Sequence, residues 1–111
     1  MINDYRITLE NCMQIDIHTQ DFALTDSLRK HAERRLFYAL SCCEDFIQRI
    51  EMRLSDINDL HGGADKRCQL RVILDDLPDV VTDDIESDFY IAIERASDRS
   101  GRTVIRKIKR E

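Results

Sequence analysis

Apolar and polar residues alternate over residues 13–19, where Met13, Ile15 and Ile17 are interleaved with Gln14, Asp16 and His18. A period of two is that of a half-buried strand. The period then lengthens. Leu28, Ala32, Leu36, Ala39 and Leu40 fall on one face of a helix, Thr25 offers an N-cap oxygen and Asp26 suits the first turn. Lys30 and Arg34 lie on the opposite face, and Phe37 and Tyr38 lie off the centre of the apolar stripe, so rings interleave with cations; burial at the helix edge and base stacking both fit that pattern. Alternation returns at Ile50, Met52 and Leu54 and, after LHGGADK, at Cys68, Leu70, Val72 and Leu74, which predicts an antiparallel hairpin whose loop uses Gly62 and Gly63. A loop over 75–79 holds the only proline and precedes a short strand, VVTDDI. Its register is open: either Val81 and Ile85 or Val80 and Thr82 face inward, and the second choice carries Asp84 toward the core. The last helix starts at Ser87 or Asp88, and its inner face collects Tyr90, Ile93, Ala96, Ser97, Ser100, Gly101 and Val104. Gly101 costs about 1 kcal/mol of helix propensity unless close packing offsets it.

The order is strand, helix, three strands, helix, an α+β fold with β-α-β-β-β-α connectivity. The first two strands should be parallel through a right-handed crossover and the last three a meander. That arrangement gives a four-stranded mixed sheet with two helices packed on one face. Residues 13–111 form a single domain, and residues 1–12 an N-terminal extension. Tyr5, Ile7 and Leu9 alternate in the extension, which is compatible with an added strand, an irregular arm or a start codon assigned too far upstream.

The outer face of the last helix changes the picture. Arg95, Arg99, Arg102, Arg106, Lys109 and Arg110 follow one another in steps of three, four and one residues, most of them falling on one stripe about 22 Å long, enough to meet several phosphates of a nucleic-acid backbone. The formal net charge of −5 argues against a general nucleic-acid binder, but it hides a division by segment. Residues 25–40 carry four cations against two acids and residues 88–111 seven against four, whereas Asp75, Asp76, Asp79, Asp83, Asp84 and Glu86 crowd into twelve positions.

Other chemistry is poorly represented. His18, His31 and His61 have no recognisable catalytic spacing with the cysteines or aspartates, so no enzyme activity is expected. A zinc site would have to draw on Cys43, His61 and Cys68, and the aspartate cluster lacks the ligand spacing and central glycine of a calcium loop; neither a metal nor a cofactor is expected. The four cysteines, two of them adjacent, read as free buried thiols. No apolar run reaches membrane-spanning length and the start lacks the form of a signal peptide, so the expectation is a cytoplasmic protein with no membrane partner.

The opening MQIDIHTQDFALTDSLRKHAERRL, with its strand, short turn, Thr cap and Leu-Arg helix start, resembles the ribosome hibernation-promoting factors, also called ribosome-associated inhibitors or ribosomal subunit interface proteins. SDFYIAIE resembles the same family's Asp-x-Tyr-x-Ala-Ile-Asp motif, here Asp88, Tyr90, Ala92, Ile93 and, with one substitution, Glu94. The resemblance covers residues 13–110. It implies a translation inhibitor that occupies the messenger and transfer RNA channel of the small ribosomal subunit, holding ribosomal RNA phosphates by charge and hydrogen bonds. The RNA-binding residues would be Arg29, Lys30, Arg34 and Arg35 on the first helix and Arg95, Arg99, Arg102, Arg106, Lys107, Lys109 and Arg110 on the second. The chain departs from the family pattern in its acidity, with Asp84 where a small residue is common, in the extension before Met13, and in ending after the helix without the C-terminal dimerisation module of long members. The alternative is a diverged module of the same fold that binds a protein partner or itself; the oligomeric state is open.

Overall fold

A computed structural model describes residues 2–8, 14–20, 22–57 and 65–110, with the backbone course alone at 2–8 and 110. The elements in chain order are β1 (Ile2–Thr8), β2 (Gln14–Gln20), α1 (Asp26–Leu40), a 3-10 helix (Ser41–Phe46), β3 (Ile47–Asp56), β4 (Lys66–Leu74), β5 (Val80–Glu86) and α2 (Phe89–Arg110). The four-stranded mixed sheet is present as β2-β3-β4-β5, parallel between β2 and β3 and antiparallel thereafter. The extension adds a fifth strand. β1 runs antiparallel along β2, from Ile2 opposite Gln20 to Thr8 opposite Gln14. The glycines of the 57–65 connection and the alternating residue Leu9 lie outside the described residues.

One face of the sheet makes the core. Ile15 and Ile17 of β2, Ile50, Met52 and Leu54 of β3, Cys68, Leu70, Val72 and Leu74 of β4 and Val80 of β5 are buried with Leu28, Ala32, Leu36 and Leu40 of α1 and Ala92, Ile93, Ala96 and Val104 of α2. β2, β3 and β4 contribute alternate residues, as the pleat requires. Thr25 caps α1, its Oγ1 accepting from the Leu28 amide at 3.2 Å, and Asp88 caps α2, its Oδ1 accepting from the Tyr90 amide at 2.7 Å.

β5 takes the register that turns Val80 and Thr82 inward, leaving Val81 and Ile85 exposed. The Ser100 hydroxyl of α2 donates to Thr82 Oγ1 at 2.8 Å, so the polar group brought inward is satisfied. Asp84 and Glu86 then also point to the helix side, and that placement reshapes the cationic stripe.

The two helices run in the same direction and meet along a seam of i+4 steps. The Tyr90 hydroxyl donates to Ser27 Oγ at 2.9 Å, the His31 ring stands edge-on to Tyr90 with its Nε2 3.5 Å from Glu94, and Arg35 is 3.0 Å from Asp98. At the far end Ala39 meets Gly101, where a Cβ would come within 2.8 Å of the Ala39 carbonyl oxygen. Gly101 is required there by approach of backbone to backbone, which offsets its poor propensity. Tyr90 is 37% exposed at the rim of this seam rather than on the inner face. Of the cysteines described, Cys43 and Cys68 are buried, while Cys42 is exposed, contrary to the expectation of burial for all. Burial and the neighbouring Cys42 thiol push Cys43 up to about 11, and burial beside Asp84 and Asp83 pushes Cys68 far up, so neither supplies a thiolate near neutral pH.

Candidate nucleic-acid interface

The sequence-derived cations lie on α1 and α2, but ion pairs, within a helix and between elements, divide them into two groups. On α1, Arg29 is held by Glu33 at 2.8 Å and Asp26 at 3.3 Å, and Arg35 is drawn into the seam by Asp98. Lys30 and Arg34 are exposed and have no carboxylate partner among the described residues. On α2, Arg95 lies 3.5 Å from Glu86, and Arg99 lies 3.3 Å from Asp84 while also donating to the Asp83 carbonyl oxygen at 3.1 Å. The Asp84 side chain is only 10% exposed, and Arg99 is the partner that offsets its burial.

From Arg102 onward the stripe has a different character. Arg102 and Lys109 are exposed and Lys107 half-buried, none paired with a carboxylate among the described residues, and Arg106 bonds the Thr103 hydroxyl at 3.2 Å. Arg110 continues the helix backbone. The first half of the stripe is therefore internally neutralised and the second half is available to an outside anion. Sequence periodicity placed most of these cations on one outer stripe; it could not assign partners to Arg95 and Arg99, because the acids concerned come from β5 and its register was ambiguous.

On the opposite face of the sheet, Arg67 holds Asp83 with both nitrogens of its fork, Nε lying 3.0 Å from Oδ1. This pairing holds the Asp83 carboxyl below the usual carboxylate range. Thus Asp83, Asp84 and Glu86 each face a specific arginine. They do not form a bare acidic surface, since each charge is offset by a facing guanidinium.

Among the described residues no group of three or more histidine, cysteine, aspartate or glutamate side chains is arranged to hold a metal ion; His61 lies outside them. None of the described helices is long and apolar enough to cross a membrane.

The described residues form a two-helix layer over a mixed sheet, with cations on the outer helix surface. The family model for Sigma 54 modulation protein / S30EA ribosomal protein matches residues 15–111, and the chain belongs to that family. Among solved structures it is similar to the Protein Y N-terminal domain of Thermus thermophilus, at 26% identity and a TM-score of 0.62, over 90% of this chain and 98% of that one. It also shares its fold with a ribosomal subunit interface protein from Coxiella burnetii, at 18% identity and a TM-score of 0.68, over 89% of this chain and 98% of that one. A comparison with curated protein sequences finds no match.

Proposed function

We propose that the chain is a ribosome-binding inhibitor of translation that occupies the messenger and transfer RNA channel of the small subunit, acting in the cytoplasm by occupancy and without chemistry. The observation that carries this reading is the set of cations on the outer helix surface without carboxylate partners among the described residues, Lys30 and Arg34 on α1 with Arg102, Lys107 and Lys109 on α2, in a member of this family. Arg106 extends the set, its guanidinium committed only to a neutral hydroxyl. Such groups gain from phosphate contact by releasing counterions, whereas Arg29, Arg35, Arg95 and Arg99 would first have to leave a carboxylate. Binding of this kind is strong at low salt and largely indifferent to sequence.

Cosedimentation with purified small subunits over a series of salt concentrations tests the reading, alongside inhibition of translation in a purified system. Binding should fall steeply as salt rises. Failure to cosediment at low salt would overturn it. A second reading, a diverged module with a protein partner, is favoured by one observation: the ion pairs from Asp84 and Glu86 neutralise the half of the stripe nearest β5. Retention of a protein partner with no affinity for small subunits would support it.

A further inference from the structure

Lys30, Arg34 and Tyr38 stand at i, i+4 and i+8 on α1 and form one exposed ridge about 12 Å long. The ring at its end departs from the usual behaviour of a tyrosine on a domain this small. Tyr38 is 76% exposed, which removes burial at the helix edge as its role. The Arg35 guanidinium carbon lies 5.5 Å from the ring centroid, and Arg35 is itself anchored by Asp98 across the helix seam. A ring backed on one side by a fixed cation keeps its other side open and loses little freedom when a second flat group covers it.

We propose that Tyr38 is a stacking platform for an unpaired nucleobase, with Arg34 and Lys30 holding phosphates of the same RNA strand. The inference rests on the RNA-binding reading above and adds to it a strand-state preference: α1 would favour an RNA segment whose bases are splayed out over a duplex whose bases are stacked away. The arrangement of cations leading to an aromatic ring is the one by which single strands are bound without sequence preference. The charge of the ridge selects the occupant. A ring at the end of a row of two cations that have no carboxylate partner among the described residues suits a polyanion with flat bases better than an apolar protein surface, which would have to desolvate both cations.

The chain contains no tryptophan, so Tyr38→Trp places a single reporter at the platform. The full-length variant is titrated with small subunits, with a single-stranded oligoadenylate and with an RNA duplex of equal length, following tryptophan emission while cosedimentation or filter retention reports binding independently. Quenching by subunits and by the single strand, with little by the duplex, is the expected result. In parallel, Tyr38→Ala should weaken binding to the single strand about fivefold or more, and Tyr38→Phe should restore it to within about twofold, since stacking needs the ring and not the hydroxyl. Arg34→Ala should flatten the logarithmic salt dependence by about 0.7, the value for one phosphate of a single strand. If subunits bind with wild-type affinity while the emission at 38 is unchanged and Tyr38→Ala binds like wild type, the stacking inference fails and the ribosome-binding reading stands. Quenching by whole subunits but by neither RNA would mean that a ribosomal protein covers the ring, which also overturns the inference. Absence of binding to any of the three overturns both.

Discussion

Arg99 and Arg102 lie three residues apart on the same stripe of α2, yet alanine at each should produce opposite signatures. Arg99→Ala removes the partner of Asp84, whose side chain is 10% exposed, and also a donor to the Asp83 carbonyl. Removing one member of a fully buried pair costs about 3–5 kcal/mol, and an exposed pair contributes about 0–1 kcal/mol. Here the carboxylate is nearly buried and the arginine side chain is 48% exposed, which places the expected loss at about 1–2 kcal/mol. For a domain of this size each kcal/mol moves the melting midpoint by roughly 4–8 °C, so the fall should be at least about 4 °C. Arg102→Ala breaks no ion pair among the described residues and should stay within about 0.5 kcal/mol of wild type. Binding to small subunits should respond the other way. Loss of Arg102 should flatten the salt dependence by about one phosphate, and loss of Arg99 by less, because it already serves Asp84. The double variant Arg99→Ala with Asp84→Asn removes the uncompensated charge and should recover part of the lost stability, which a double-mutant cycle measures. If Arg99→Ala melts with wild type, or if the two single losses simply add, the pair contributes nothing and the stripe is uniform along its length.

Gly101→Ala gains about 1 kcal/mol of helix propensity but forces a Cβ against the Ala39 backbone, an overpacking that costs about 1–3 kcal/mol, so thermal melts should show no gain and a loss of up to about 2 kcal/mol; a rise in midpoint would refute the close contact. The Asp83 carboxyl is held below its ordinary value of 3.8 by Arg67, so its contribution is present above that value and is lost as pH falls through the lower folded-state value. Melts of Asp83→Asn should therefore lie slightly below wild type at pH 7 and converge with it in acid; a gap that widens in acid would contradict the sign. Deleting residues 1–12 returns the sheet to the four strands β2–β5, and we propose that these with the two helices form a self-sufficient domain. Its unfolding should remain cooperative, with a midpoint fall under about 10 °C, and loss of cooperativity would make β1 integral to the fold.

The fold was legible because its signals are local and agree with one another. The strand periods, the Thr25 cap and the helical spacing of Leu28, Ala32, Leu36 and Leu40 each specify an element without reference to the rest. The site was legible only as a list of cations. Whether an arginine is available to RNA depends on which acid faces it, and Asp98, Glu86 and Asp84 reach Arg35, Arg95 and Arg99 from other elements, at sequence separations that no helical period reveals. The inward turn of Asp84 is the clearest instance. VVTDDI fits either register when only apolar residues are counted, and the choice is supported by the Thr82–Ser100 hydrogen bond and the Asp84–Arg99 pair, contacts that exist only once α2 lies over β5. Tyr38 marks the converse: its helical position was compatible with burial at the edge, but the ring stands 76% exposed.

The missing side chain at position 101 sets a dimension as well as a stability. With only hydrogen on the Gly101 Cα, α2 packs directly against the Ala39 carbonyl, and that contact helps set the gauge between the α1 ridge and the far half of the α2 stripe, like the jaws of a caliper. RNA phosphates occupy fixed positions on a folded subunit, so two rows of cations engage together only if their separation matches. A methyl group at 101 would widen that gauge while leaving every charge in place, and on the proposed ribosome-binding reading affinity for small subunits would then decline without the removal of a single cation.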